Sequence, residues 1–299
     1  MRLGILGLSP GNGHPYSWAA IINGYDPAAM ATCPFPVIPE YLGQRSFPED
    51  ALPGARVTHV WTQDAALSGH VAAAARIPTV VEDPLEMIGA VDGVLLARDD
   101  AEHHRTMAQP FLEAGLSVYI DKPLALELQE ARRILALQVR PGQVFSCSAL
   151  RYAEEFCLSP ADREELGTIR HVVGITPKTW DTYAIHPVDA ALGMLGSQGR
   201  IRTAVPVVGG DRTLLILEWE SGVTGTFLSL GGAATPISVE VFGDRGRRRM
   251  VFADAFSAFR EALRRFVEGA DGPREGHEAE LLEAVAVVEA GRTPAEAAG

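Results

Sequence analysis

Residues 117–126 read Ser-Val-Tyr-Ile-Asp-Lys-Pro-Leu-Ala-Leu, and their reading decides the fold. A β-rich run at 118–120 stops at Asp121-Lys122-Pro123, and a helical pattern begins at Glu127. Proline has no N–H for a sheet ladder and disfavours a helical residue before it. Lys122 is therefore expected in extended form at the carboxyl end of a strand, the edge where open α/β sheets bind ligands. A lysine there carries a compact charge on a long stem, and burial can bring it into a catalytic range. The alternative is a solvated lysine leading into a helix.

Working outward, β-type runs at 2–8, 56–62, 79–82 and 93–97 precede this stretch, with helical patterns at 16–25, 65–75 and 101–114. A helix at 127–138 and a last strand at 143–148 follow it. Strands alternating with helices of this length imply a doubly wound parallel sheet. Between the first strand and the first helix lies Gly7-Leu-Ser9-Pro-Gly11-Asn12-Gly13-His14. Strand, glycine-rich turn and helix is the layout in which backbone N–H groups and a helix N-terminus receive a pyrophosphate. A GxGxxG fingerprint would place glycine at 7, 9 and 12, where the chain has Gly7, Ser9 and Asn12; with one residue less in the turn, Gly11 takes the third place. A tight glycine turn before a helix also needs no cofactor.

Residues 26–54 form an unusually long connection to the second strand, rich in proline but carrying Phe35, Val37, Ile38, Tyr41, Leu42 and Phe47. That apolar content argues for a packed loop, over a ligand or at a subunit contact. The position of the acidic residue that commonly holds the adenosine ribose falls on Thr62 or Gln63, with Asp64 just beyond; Asp64 is better read as the cap of the next helix. His103 and His104 are read as helix-surface residues, and no metal site is expected because no partner spacing supports one.

After residue 150 the pattern changes to β-type runs at 169–178, 201–208, 212–220, 222–230, 237–242 and 247–252, with no helices long enough for parallel crossovers. The second sheet should be largely antiparallel. Helices at 255–269 and 275–290 close the chain. The fold class expected is α/β: an N-terminal Rossmann-type doubly wound parallel sheet (residues 1–148), then a C-terminal α+β domain with a largely antiparallel open sheet (149–299).

The 299 residues carry a net charge of −12, with 47% hydrophobic and 21% charged residues. That composition is ordinary for a globular chain, and the charge argues against nucleic-acid or anionic-membrane partners. No apolar run approaches the ~20 residues a membrane helix needs. Cys33, Cys147 and Cys157 form no CxxC or metal spacing; with no targeting segment ahead of the first strand, reduced thiols and a cytoplasmic location are expected.

Ile120-Asp121-Lys122-Pro123-Leu124-Ala125 resembles the Glu-Lys-Pro motif of the Gfo/Idh/MocA oxidoreductases, the glucose–fructose oxidoreductase and inositol dehydrogenase family. Asp121 stands where that family usually has Glu. His14 falls where it often carries a histidine, and 149–152 (Ala-Leu-Arg-Tyr) resembles its Asn-x-Arg-Phe/Tyr segment. Residues 180–189, Trp-Asp-Thr-Tyr-Ala-Ile-His-Pro-Val-Asp, resemble its Asp-x-x-x-His-x-x-Asp segment: His186 and Asp189 match, Thr182 replaces the catalytic aspartate, and Asp181 is one residue off.

The resemblance implies an NAD- or NADP-dependent oxidoreductase acting on a hydroxyl-bearing carbon of a sugar, sugar derivative or cyclitol. Lys122, His186 and Tyr183 are then the catalytic candidates. Gly7, Ser9, Gly11, Asn12, Gly13, His14, Thr62, Gln63, Asp64, Ala97, Arg98 and Asp121 would bind the cofactor. Arg98, Lys122, Arg151, Lys178 and Asp189 would meet substrate. The resemblance also implies a homodimer, or dimer of dimers, through the C-terminal sheet. Arg98, where the family is usually neutral, suits an anionic sugar unless it pairs with Asp99 or Asp100, and Arg151 with Glu154 or Glu155. A non-catalytic dinucleotide- or sugar-binding protein and an NAD-dependent lyase, epimerase or glycosidase with internal cofactor recycling are the alternatives.

Overall fold

The short apolar runs of the first half become parallel strands, and the central ones are buried on both faces, as a sheet covered by helices requires. The computed structural model describes residues 1–270 and 272–292. The elements run β1 Arg2–Leu6, α1 His14–Asn23, α2 Pro27–Met30, α3 Val37–Leu42, β2 Arg56–Trp61, α4 Ala65–Ala74, β3 Thr79–Val80, β4 Gly93–Leu96, α5 His104–Glu113, β5 Ser117–Ile120, α6 Leu128–Leu135 and β6 Val144–Phe145. The second half adds α7 Pro160–Leu166, β7 Ile169–Thr176, α8 Trp180–Tyr183, α9 Ile185–Leu195, β8 Ile201–Gly209, β9 Arg212–Trp219, β10 Thr224–Leu230, β11 Ser238–Gly243, β12 Arg247–Val251, α10 Ala255–Glu268 and α11 His277–Ala290.

Two compact units result. The first comprises Met1–Leu124, Arg132–Ser146 and Ala255–His277. The second comprises Ala125–Ala131, Cys147–Asp254 and the chain from Glu278 on, of which residues 293–299 lie outside the described residues. The first unit holds a six-stranded sheet in the order β3-β2-β1-β4-β5-β6, parallel throughout. The strand order reverses between β1 and β4, the switch point at which such sheets take their ligands.

Three details differ from the sequence reading. The strand expected at 143–148 shrinks to two residues. Gln143 instead turns its side chain inward: its Oε1 accepts the Val139 and Arg140 N–H groups, and its Nε2 donates to the Leu112 and Leu116 carbonyls. The helix at 255–269, expected with the C-terminal half, belongs to the first unit. There Phe266 meets Tyr119 and Phe145 in ring contact, Phe259 lies edge-on to His14, and Arg260 Nε donates to the Asp50 carbonyl at 2.9 Å. The long connection at 26–54 folds as α2, α3 and turns, with Met30, Ile38, Leu42 and Leu52 buried.

The second unit holds a six-stranded sheet in the order β12-β11-β7-β10-β9-β8. Its pairs are antiparallel except β7 with β10. Between these two come α8, α9 and the β8–β9 hairpin, enough chain for the crossover that parallel pairing needs. One face alternates inward as Leu215, Leu217, Trp219 and Phe227. Pro187 of α9 lies on that face, since a Cβ at Gly174 would come within 2.8 Å of it. No helix among the described residues is long and apolar enough to cross a membrane.

Candidate functional site

In the first unit the chemistry collects at the carboxyl edge of the sheet. The turn after β1 carries Gly7 to His14, the loop after β4 carries Ala97 to Asp100, and the loop after β5 carries Asp121 and Lys122. Lys122 is buried, and its Nζ stands 3.2 Å from Asp99 Oδ2. The solvated alternative for this lysine is thereby excluded. Asp121, also buried, gathers the neighbouring loops: its Oδ1 accepts the Lys122 N–H at 2.7 Å, and its Oδ2 accepts from Asn12 Nδ2 at 2.8 Å and His14 Nδ1 at 2.5 Å. Because a carboxylate only accepts, the His14 proton sits on Nδ1. The His14 ring is fixed further by stacking on Trp18, which itself stacks on Tyr119 of β5.

The turn explains its own departure from the glycine fingerprint. Ser9, in the place of the second glycine, is 1% exposed. Its hydroxyl donates to Asp99 Oδ1 at 2.5 Å and accepts the Asp99 N–H at 3.1 Å, so the side chain is spent inside the loop. Gly11 has a φ of 80°, and a Cβ there would meet nothing within 4 Å. The backbone is thus open at the point a pyrophosphate has to approach. Gly7 and Gly13 are glycine for a different reason. A Cβ on Gly7 would strike the Arg98 stem, and one on Gly13 would lie 2.5 Å from Ile38 Cδ1 and 2.7 Å from Phe35 Cγ. The turn fits a dinucleotide phosphate at Gly11. The first helical donors add little: Asn12 Oδ1 already takes the His14 N–H, and Pro15 has none.

The ribose candidates after β2 are engaged elsewhere. Gln63 clamps the turn, its Oε1 accepting the Leu8 N–H at 3.1 Å and its Nε2 donating to the Leu8 carbonyl at 2.8 Å. Asp64 caps α4 through the Ala66 and Leu67 N–H groups. Thr62 is buried and hydrogen-bonded to Ser68 and to the Asp64 carbonyl.

The charges beside Lys122 are paired. Arg98 is 7% exposed and gives its guanidinium fork to Asp100, the internal pairing that leaves no free fork for an anionic substrate. Burial pushes both Asp99 and Asp100 up, but their cationic neighbours more than offset it. Lys122, Ser9 and His14 bring Asp99 below the usual carboxylate range, and Arg98 does the same for Asp100. His104, expected at a helix surface, is fully buried. Its Nδ1 lies 3.0 Å from the Leu124 carbonyl and its Nε2 2.8 Å from the Arg98 carbonyl. It ties the loop after β4 to the loop after β5. His103 remains exposed, 3.0 Å from Asp100.

The second unit holds the remaining candidates. His186 Nδ1 is 2.8 Å from the Ser148 hydroxyl, and its ring meets Tyr183 edge-on at 4.8 Å. Lys178, at a φ of 61°, donates from Nζ to the Tyr183 hydroxyl at 2.7 Å. That left-handed backbone is uncommon outside glycine, and a two-bond bridge to Gly231 holds it. Arg151 and Asp189, both expected to meet substrate, bind each other at 2.8 Å. Arg151 also reaches Glu280 at 2.9 Å, and Asp189 accepts the Ser148 N–H. Burial lowers the affinity of the Arg151 guanidinium for its proton, but these two carboxylates more than restore it. The expected partners Glu154 and Glu155 are not the ones used; Glu155 accepts the Ala253 and Asp254 N–H groups. Thr182 bonds Thr179, and Asp181 pairs with Arg292.

Sequence reasoning missed Asp99, Ser148 and His104. In the run Arg98-Asp99-Asp100 the sequence shows three charges but not which pairs with which. Ser148 and His104 carry no spacing signal.

Comparison with known proteins agrees with the fold. A family described as the Gfo/Idh/MocA "Oxidoreductase family, NAD-binding Rossmann fold" matches residues 43–148, which include Lys122. The inositol 2-dehydrogenase 1 of Saccharopolyspora erythraea is 30% identical over 199 residues, 57% of this chain and 58% of that protein. The chain thus matches somewhat over half the length of this relative. The crystal structure of myo-inositol 2-dehydrogenase from Lactobacillus plantarum superposes with a TM-score of 0.72 at 15% identity, covering 97% of this chain and 96% of that one. GenD2 from gentamicin A biosynthesis, in complex with NAD, gives 0.70 at 18% identity, covering 97% and 93%. At these identities the two structures speak for the fold. With the Asp-Lys-Pro loop in place at the sheet edge, residues 43–148 are similar to the Gfo/Idh/MocA oxidoreductases, a family described by its NAD-binding Rossmann fold.

Proposed function

We propose that the chain is an NAD(P)-dependent oxidoreductase that moves a hydride to or from a hydroxyl-bearing carbon of a sugar, sugar derivative or cyclitol. The observation that carries this reading is Lys122, a buried ammonium at the carboxyl end of β5, linked through Asp121 to the glycine-rich turn. The nicotinamide would supply or accept the hydride, its pyrophosphate held at Gly11. Lys122 would hydrogen-bond the substrate oxygen and stabilise the charge that develops on it. His186 would take or give the proton, with Tyr183 as the second carrier; Ser148 and Lys178 set the direction of these two groups. Asp121 would hold the Lys122 loop and His14 in register. The pairing of Arg98 with Asp100, and of Arg151 with Asp189 and Glu280, favours an uncharged polyol over a sugar acid or sugar phosphate.

A thermal-shift titration with NAD, NADH, NADP and NADPH tests the cofactor, because a ligand specific for the native state raises the melting temperature. A rise is expected with at least one of the four, and its loss in Gly11→Leu. No shift at millimolar concentration sinks the reading. Lys122→Ala should abolish turnover while leaving dinucleotide affinity nearly unchanged; normal turnover in that variant would remove the lysine from its role.

A further inference from the structure

We propose that Asp99 is the positioning carboxylate of Lys122. The inference deepens the oxidoreductase reading and rests on it. An ammonium this far from water needs a counter-charge, and Asp99 Oδ2 provides it at 3.2 Å. Asp99 is itself fixed twice, by the hydroxyl of Ser9 on Oδ1 and by its own N–H on the Ser9 oxygen. One carboxylate therefore joins the loop after β4, the turn after β1 and the reactive end of Lys122. His14 of α1, which Asp121 binds, also acts on Asp99 through its charge, while the sequence neighbours Arg98 and Asp100 pair with each other. By fixing one N–H direction of the ammonium, Asp99 determines where the substrate oxygen has to sit. Asp99 is a positioning residue, since its effect passes through Lys122.

The chain has two lysines, Lys122 and Lys178, against 24 arginines. Side-chain spectra of [13C]lysine-labelled protein therefore contain two lysine Cε signals, and Lys178→Arg assigns them. The ligand-free protein is titrated as wild type, Asp99→Asn and Asp99→Glu. Asp99→Asn keeps an acceptor for Ser9 but sets an amide donor against the ammonium. Its Lys122 signal should titrate lower by about one pH unit or more, with Lys178 unmoved and Asp99→Glu close to wild type. With NAD and myo-inositol as the assay pair, kcat of Asp99→Asn should fall about 100-fold, with KM for NAD little changed, and Asp99→Glu should recover part of it. A Lys122 titration that superimposes on wild type, or Asp99→Asn turnover at the wild-type rate, overturns the proposal. Lys122→Ala separates the two levels. If it is inactive while Asp99→Asn is normal, only the role of Asp99 falls. If Lys122→Ala is active, the role of Lys122 falls and that of Asp99 with it, while the oxidoreductase reading is left standing. A protein inactive on myo-inositol is still decided by the spectra.

Discussion

His104 shows how a single side chain can fix a site without touching it. Both of its ring nitrogens face backbone carbonyls, of Arg98 and Leu124, and it has no access to water. A carbonyl only accepts, so a ring N–H donates to one loop's carbonyl while the ring packs against the other. His104→Leu keeps the apolar volume but strands the carbonyl that takes the ring N–H. A buried unsatisfied group costs roughly 1–3 kcal/mol, and a loss of that size is expected, read as a lower urea midpoint with unchanged slope. Lys122 sits between these loops, and kcat should drop in the same variant at temperatures where it remains folded. A stability within about 0.5 kcal/mol of wild type, well under the roughly 1 kcal/mol minimum for one stranded carbonyl, would show that the bond contributes nothing.

At the scale of elements, the parallel sheet was legible because its strands are short apolar runs separated by helix patterns and turn residues. The Asp-Lys-Pro stop was legible because proline constrains two residues at once. Pairing was not legible. Nothing in Arg98-Asp99-Asp100 tells which acid faces the arginine and which reaches Lys122, since that depends on loop directions set by Ser9 and His104. Nor could the sequence say that α10 joins the first unit, because an amphipathic stripe names a buried face and not its partner. The connection at 26–54 was readable as packed from its aromatic and aliphatic content, but its destination was not. It lies on α1, where Ile38 and Phe35 close over Gly13, Tyr41 donates to Ser17, and Tyr16 touches Phe35. This places α3 in the core that supports the nucleotide turn. Ile38→Ala, at a side chain 4% exposed, should cost about 2–4 kcal/mol, measured by thermal or urea unfolding. An α3 that merely rests on the surface would lose under 1 kcal/mol, as surface substitutions do.

On the scale of the whole molecule, the outward face of the second sheet is the feature that one chain leaves unfinished. Register places Val207, Leu214, Leu228 and Ile175 in one row across four strands, and Val205, Ile216, Thr226 and Val173 in the next. Alternation puts these side chains opposite the buried row of Leu215, Leu217 and Phe227. Val205 and Val207 are each 57% exposed and Ile216 is 47% exposed. An antiparallel sheet with one solvated face would carry polar residues there. A contiguous apolar face of this kind marks an interface, and we propose a second copy of the chain as its occupant. A flat sheet face is self-complementary about a two-fold axis, as a closed dimer needs. The resemblance to the family led to the same expectation. Ile216→Lys places a charge in the second row, beside Leu214 of the first, doubled by symmetry, while leaving the inward face untouched. Sedimentation velocity at micromolar concentration should show a dimer for the wild type and a monomer for Ile216→Lys, with the circular dichroism spectrum unchanged. A monomeric wild type would mean that this face meets something other than itself. A dimer indifferent to Ile216→Lys would move the interface to another surface.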